Sequence, residues 1–230
     1  MPTLASAAIN PVDLRVYAIL GPEQGSAADL ARLARAAVEG GATLVQVRDK
    51  GSDARRFVEA ARAVKAALAG TGVPVLVNDR VDVAAASGAD GVHLGQDDLH
   101  PQDARRLLGR QAIIGLTVKT PAQADELYRL PVDYACIGGV FATASKANPE
   151  PPVGLEGFSR IAFRARLAAP GITVGAIAGI GRENAGDVIA AGADGIAVIS
   201  AIFGRPDPRD AAREFRTIVD RTLASRGAAP

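Results

Sequence analysis

Apolar and polar positions alternate along the chain in two rhythms. Short runs that are apolar nearly throughout stand near 15–20, 43–48, 73–78, 91–94, 112–117, 133–138, 172–178 and 195–199. Between them lie alanine- and arginine-rich segments with apolar residues three to four apart, near 26–39, 52–69, 80–87, 101–108, 121–130, 155–168, 182–191 and 207–225. The first rhythm predicts strands buried on both faces, and the second predicts helices with one buried face. Ser52, Pro101 and Thr120-Pro121 are helix-start signals. Continuously apolar strands alternating with helices predict a parallel sheet covered on its outside. Eight such units in 230 residues predict one (β/α)8 TIM barrel with parallel strands. A doubly wound open sheet is the alternative, but it uses fewer units and a glycine fingerprint after its first strand. Residues 21–26, GPEQGS, lack that fingerprint.

The pattern also echoes itself. Residues 86–94 read ASGADGVHL and residues 191–199 read AGADGIAVI, while 39–47 (EGGATLVQV) and 131–137 (PVDYACI) are looser versions. Each is a helix running into a strand, with Gly88 or Gly192 as the left-handed residue past the helix end in the two clearest cases. No linker divides 1–230, so one domain is expected, with 1–12 and 226–230 as frayed termini. The proline-rich stretch 142–154, ATASKANPEPPVG, follows the sixth strand and is a candidate lid over the barrel mouth.

Composition narrows the function. Lys+Arg number 26 against 25 Asp+Glu, which gives no field to hold a polyanion and argues against nucleic acid as a partner. No run of ~18 apolar residues predicts a membrane span, and the start lacks a signal-peptide pattern. One cysteine excludes an intramolecular disulfide and a cysteine-cluster metal site, so a cytoplasmic setting is expected.

In a barrel, polar residues at the C-terminal strand ends share one mouth. Gln46, Arg48 and Lys50 alternate, so period two puts all three on one side of the second strand and its extension. An amide with two cations suits a multiply charged anion, and this is preferred over a solvated strand end because uncompensated cations are costly to bury. Asp79 and Asp98 follow neighbouring strands and together suit Mg²⁺; alone, Asp79 would pair with Arg80 or cap a helix. Gly179 and the Ile199-Ser200-Ala201 turn follow strands seven and eight, the usual phosphate position in this fold. His93 reads as a hydrogen-bonded barrel residue and Cys136 as a small core residue.

The set of strand-end strings resembles the thiamine-phosphate synthase family over nearly the whole chain: QVRDK (46–50), VNDRVDVA (77–84), GADGVHLGQDD (88–98), IIGLT (113–117), DY (133–134), T-x-S-K (143–146) and GADGIAVISAI (192–202). The resemblance implies a transferase that joins a hydroxymethylpyrimidine diphosphate to a thiazole phosphate. It implies that Gln46, Arg48, Lys50, Asn78 and Lys146 hold the pyrimidine diphosphate and that Asp79 and Asp98 bind Mg²⁺. Thr117 then stands near the pyrimidine, where the family usually has Ser, and Thr143, Ser145, Gly179, Ile199 and Ser200 bind the thiazole phosphate. Arg48, Lys50, Thr117 and Lys146 are the residues expected to serve the chemistry itself. The expected partners are these two small molecules, and a homo-oligomer is compatible with the pattern.

The chain departs from the family at Cys136, where Gly is usual, at Gly139, where Pro is usual, and at Ala178, which replaces the first Gly of a Gly-Gly pair. Lys119 stands where His is common and reads as a solvated lysine ahead of a helix, or as an extra cation for the diphosphate. A sister group, the thiazole tautomerases, depends on that His and lacks the GQDD string, so both features favour the synthase. A non-catalytic phosphate-binding barrel is the remaining alternative, and it would have little need of a metal site.

Overall fold

The computed structural model describes residues 12–143 and 151–227. Eight strands, β1 Val16–Leu20, β2 Leu44–Val47, β3 Val75–Asn78, β4 Gly91–Leu94, β5 Ile113–Val118, β6 Tyr134–Ile137, β7 Thr173–Ile177 and β8 Gly195–Val198, close in sequence order into a barrel. Every neighbouring pair is parallel, including β1 with β8. Helices α1 Ala27–Glu39, α2 Ala54–Ala67, α3 Val81–Ser87, α4 Pro101–Leu108, α5 Pro121–Asp125, α6 Gly154–Ala168, α7 Ala185–Ala190, α8 Ser200–Phe203 and α9 Pro208–Gly227 lie between and after them.

Both faces of each strand are buried, which is why the sequence showed runs rather than alternation. Outward residues such as Val45, Val77, Val92 and Val174 pack against helix residues that include Phe57, Phe158 and Phe215. Inward residues Leu14, Tyr17, Ile19, Leu44, Leu76, Tyr134, Cys136 and Ala197 fill the barrel. Truncating one of the three buried phenylalanines to Ala is worth about 3–5 kcal/mol of stability. Among the described residues, no helix is long and apolar enough to cross a membrane.

The sequence echo has a physical cause at the N-terminal end of the barrel. Asp90 Oδ2 accepts the Val75 N–H at 2.7 Å, Asp133 Oδ2 the Ile114 N–H at 2.7 Å, and Asp194 Oδ2 the Val174 N–H at 2.9 Å. Thr43 Oγ1 does the same for the Val16 N–H at 3.1 Å. Thus a side chain ahead of each even-numbered strand satisfies a backbone donor at the start of the strand before it. Each Asp also takes a cation from a helix two strands back: Lys65 on Asp90, Arg105 on Asp133 and Arg166 on Asp194.

Several local expectations need correction. Helix α2 is capped by Asp53, whose carboxylate accepts the Arg56 N–H at 3.0 Å, and not by Ser52. A short helix, α8, stands between β8 and the last long helix where only a turn was expected. Two described positions within the stretches expected to fray are packed. Val12 is buried, and Arg226 lies in α9 with its guanidinium donating to the Ile189 and Ala193 carbonyls and to Asp194.

Candidate active site

The C-terminal strand ends surround a cleft of about 860 Å³, part of it open to solvent. Gln46, Arg48, Asn78, Thr117, Thr143, Gly179, Ile199 and Ser200 all line it, so eight of the expected site residues meet in one mouth. Ser145 and Lys146, and residues 144–150 of the expected lid, lie outside the described residues.

On the β2 side, Gln46 is almost fully buried and Arg48 half-buried. Arg48 continues the ladder by donating its N–H to the Leu20 carbonyl at 2.8 Å. Gly21 allows that approach, since a Cβ there would stand 2.1 Å from the Arg48 carbonyl oxygen. Beyond Arg48 the chain turns. Asp49 Oδ1 accepts the N–H groups of Gly51 and Ser52 at 2.9 Å each, so strand alternation ends before Lys50. Lys50 is therefore not in the cleft lining. It is half-exposed, and its ammonium reaches across to Asp79. Among the described residues, no carboxylate pairs with the Arg48 guanidinium. In the same mouth, the buried Asn78 amide has a nitrogen, Nδ2, with no acceptor among the described residues. A cation without a counter-charge and a buried donor without an acceptor together describe an anion site.

Asp79 and Asp98 come together as the sequence suggested, from the ends of β3 and β4. Asp79 does not pair with Arg80, which holds Asp82 instead. Asp79 adopts a left-handed backbone (φ 60°), its N–H donating to the His93 carbonyl at 2.8 Å. Strain of this kind collects at functional sites. Burial and hydrogen bonding to the Asp98 carboxyl push the Asp79 pKa above the usual Asp value, with Lys50 pulling the other way. Asp98 is tied to its own loop, accepting the Gly95 N–H at 2.6 Å. Two carboxyls pressed together and partly desolvated are a donor set that gains from a divalent cation. Among the described residues, no cluster of three or more His, Cys, Asp and Glu offers a larger protein cage.

On the opposite wall, Ile199 leads into α8 and Ser200 opens it. Gly179 has a positive φ of 64°, and a Cβ there would stand 2.3 Å from the Ala142 carbonyl oxygen. Its glycine character thus serves packing against the loop after β6 as well as lining the cleft. Ala178 adopts φ 92°, a conformation that favours glycine, so the methyl that distinguishes this chain sits on strained backbone. Lys119, read as a solvated lysine or as an extra cation, lines the mouth, its aliphatic stem passing over Gly138.

On the cleft floor a buried hydrogen-bond chain links the expected Gln46, His93 and Thr117 through two tyrosines, Tyr17 and Tyr134, that the sequence reading missed. Gln46 Nε2 donates to the Tyr17 hydroxyl, and Tyr134 donates to the same oxygen at 3.0 Å. His93 bonds Tyr134 through Nδ1 and Thr117 Oγ1 through Nε2, both at 2.8 Å. The three rings stack and meet edge-on, with centroids 5.5 to 6.2 Å apart. Burial pushes the pKa of both phenols well above the usual tyrosine range, which keeps them neutral. The signal that could have revealed the chain is Gly115 in the string IIGLT. A Cβ there would stand 2.0 Å from Tyr134 Cζ, so this strand interior needs glycine to admit the ring.

Comparison with known proteins agrees with this arrangement. The family described as thiamine monophosphate synthase matches residues 16–202. A thiamine-phosphate synthase of Agrobacterium fabrum is 52% identical over 218 residues, covering 95% of this chain and 99% of that protein. One from Xanthobacter autotrophicus is 46% identical, covering 91% and 97%. Among solved structures, a thiamine phosphate pyrophosphorylase from Pyrococcus furiosus superposes with a TM-score of 0.79 at 35% identity, covering 92% of this chain and 98% of that one. The barrel, its mouth and these relatives together place the chain in the thiamine-phosphate synthase family.

Proposed function

We propose that this chain is a transferase that joins hydroxymethylpyrimidine diphosphate to thiazole phosphate, releasing pyrophosphate and forming thiamine phosphate. The observation that carries the reading is that Arg48 and the buried Asn78 Nδ2, both in the mouth, have no carboxylate partner and no acceptor respectively among the described residues. In the reaction, the bond from the pyrimidine methylene carbon to the diphosphate oxygen breaks and its electron pair leaves with pyrophosphate. The thiazole nitrogen then gives its lone pair to that carbon, and no redox partner is needed. No side-chain nucleophile is required either. The protein's task is to stabilise charge on the leaving diphosphate and to align the two rings.

Arg48 and Asn78 hold diphosphate oxygens from the β2–β3 wall, with Lys50 and Lys146 as further cations. Asp79 and Asp98 suit Mg²⁺, whose role when bound is to neutralise charge on the diphosphate. Thr143, Ser145, Gly179, Ile199 and Ser200 hold the thiazole phosphate, Ile199 and Ser200 through the turn into α8. Gln46 and Thr117 flank the pyrimidine. Both substrates are small and anionic, and the single cysteine fits a reducing cytoplasmic setting.

The test is an incubation of purified protein with both phosphorylated precursors and MgCl₂, measuring pyrophosphate and thiamine phosphate. Equimolar formation of the two is expected. Their absence, with rapid aromatisation of an unisomerised thiazole carboxylate phosphate, would replace this reading with the tautomerase.

A further inference from the structure

A side chain that does not line the cleft holds the turn after β7. Ala178 and Gly179 take left-handed backbone in succession, with φ 92° and 64°. The loop after β6 fixes them from one side: the Phe141 N–H donates to the Ala178 carbonyl at 3.1 Å, and Gly179 packs on the Ala142 carbonyl. From the other side comes the half-buried Asn184. Its Oδ1 accepts the Gly181 N–H at 2.9 Å, and its Nδ2 donates to the Gly179 carbonyl at 3.0 Å. A backbone N–H can only donate and a carbonyl can only accept, so the amide has a single orientation here. Asn184 directly precedes α7, where an asparagine ordinarily caps the helix by accepting from its first N–H groups. It makes no such bond. Helix α7 goes without a side-chain cap, and the amide spans the turn instead. Gly179 and Ile180 line the cleft, and among the described residues no protein acceptor takes their N–H groups. Arg182, the next cation along the chain, is exposed and paired with Glu214 on α9. What this turn offers an anion is therefore backbone donors, and their aim depends on how the turn is held.

We propose that Asn184 is a positioning residue for the thiazole phosphate: by clasping the turn at Gly179 and Gly181, it keeps the Gly179 and Ile180 N–H groups available to the mouth. This rests on the thiazole phosphate placement given above. Asn184 touches no substrate, so its effect reaches the reaction only through the backbone it holds.

Asn184→Ser separates this role from a merely structural one. Serine caps a helix about as well as asparagine, so a residue that only starts α7 would tolerate the change. Its short hydroxyl cannot reach both Gly179 and Gly181. Asn184→Asp, close to isosteric, keeps an acceptor for the Gly181 N–H and loses the donor to the Gly179 carbonyl; it covers the case in which Asn184→Ser fails to fold. Each substrate is varied with the other saturating and MgCl₂ present, and thermal melts confirm that the variants are folded. Asn184→Ser should raise the KM for thiazole phosphate about tenfold, while kcat stays within about threefold and the KM for the pyrimidine diphosphate within about twofold. Asn184→Asp should raise the same KM at least as much, since a carboxylate oxygen then faces the Gly179 carbonyl. A folded Asn184→Ser or Asn184→Asp protein with the native KM for thiazole phosphate would overturn the inference, as would a loss of kcat/KM shared equally by both substrates. A rise confined to the KM for the pyrimidine diphosphate would instead overturn the placement of the thiazole phosphate at this wall. Native protein that makes no thiamine phosphate at all would overturn the functional reading itself.

Discussion

Arg48 and Arg105 stand at opposite ends of the barrel, and substituting each by Ala should separate catalysis from stability. Arg48 lines the mouth, is half-buried, and has no carboxylate partner among the described residues. A unit charge about 4 Å from a phosphate oxygen interacts by about 4 kcal/mol at an effective dielectric of about 20. Partial exposure of Arg48 reduces this to about 2–3 kcal/mol. Arg48→Ala should then lower kcat/KM for the pyrimidine diphosphate about 30- to 150-fold. Because no protein group loses a partner, the melting temperature should stay within about 2 °C of native. Arg105 is the mirror case. Its guanidinium donates to the carbonyls of Gly109, Ala112 and Pro131 at 3.2, 2.5 and 3.1 Å and to Asp133 at 2.7 Å. Arg105→Ala leaves that carboxylate with the Ile114 N–H but no cation, and takes a donor from each of those carbonyls, at about 2–3 kcal/mol for a part-exposed site. The melting temperature should fall by about 4–12 °C, while kcat/KM measured well below the new transition stays within threefold. Steady-state kinetics in each substrate and thermal melts by circular dichroism give both readouts. An Arg48→Ala protein with native kcat/KM, or one whose defect lies wholly in the KM for thiazole phosphate, would refute the assignment of Arg48 to the diphosphate.

Three further outcomes follow from the site. Asp98→Asn, and separately excess chelator with the native chain, should each reduce turnover by at least a hundredfold; full activity in chelator, read from pyrophosphate release, would remove the metal from the account. Ala178→Gly should relieve backbone strain of about 1–2 kcal/mol, less about 0.4–1 kcal/mol for the looser unfolded chain. A melting temperature raised by up to about 6 °C, with an unchanged or lower KM for thiazole phosphate, is expected; a clear fall would mean that the positive φ is not strained. Asp49 is pushed up by burial, but hydrogen bonds from Ser52 and Gly51 outweigh this and hold its pKa below the usual value. A depressed carboxylate stabilises above its unfolded pKa, about 3.9, and loses that contribution as pH falls through the folded value. The gap in melting temperature between native and Asp49→Ala proteins should therefore be full at pH 6 and shrink below about pH 4. A gap that widens on acidification would contradict this.

The barrel was legible because its strands are buried on both sides, so a run of apolar residues cannot be mistaken for an alternating edge strand. The eight strands lie within about two residues of the runs that announced them. Gln46 and Arg48 were legible through period two, which holds only while the strand lasts. Lys50 lies past the Asp49 turn and went to Asp79 instead. Side-chain hydrogen bonds between distant strands leave no local mark, so Tyr17 and Tyr134 read as ordinary core aromatics although 117 residues separate them. Lys119 left two readings open because a lysine ahead of a helix signal is usually solvated, and only the packing of its stem over Gly138 shows that it lines the mouth.

The repeated strings lie where the chemistry does not. Asp90, Asp133 and Asp194 perform one task three times, each closing a backbone donor and a helix cation at the start of a strand pair, so one residue type recurs at one junction. At the other end of the same strands nothing recurs: Arg48, Asn78, His93, Thr117 and Ser200, which line one mouth, are five different residue types. An anchored base explains how the mouth can hold Arg48 with no carboxylate partner among the described residues and the strained φ of Ala178, with the Asp79–Asp98 pair at the adjoining strand ends. The rigid strand pairs beneath keep these groups from relaxing into a more comfortable arrangement. Repetition at the base and irregularity at the mouth are thus two sides of one physical division between the end that folds the barrel and the end that uses it.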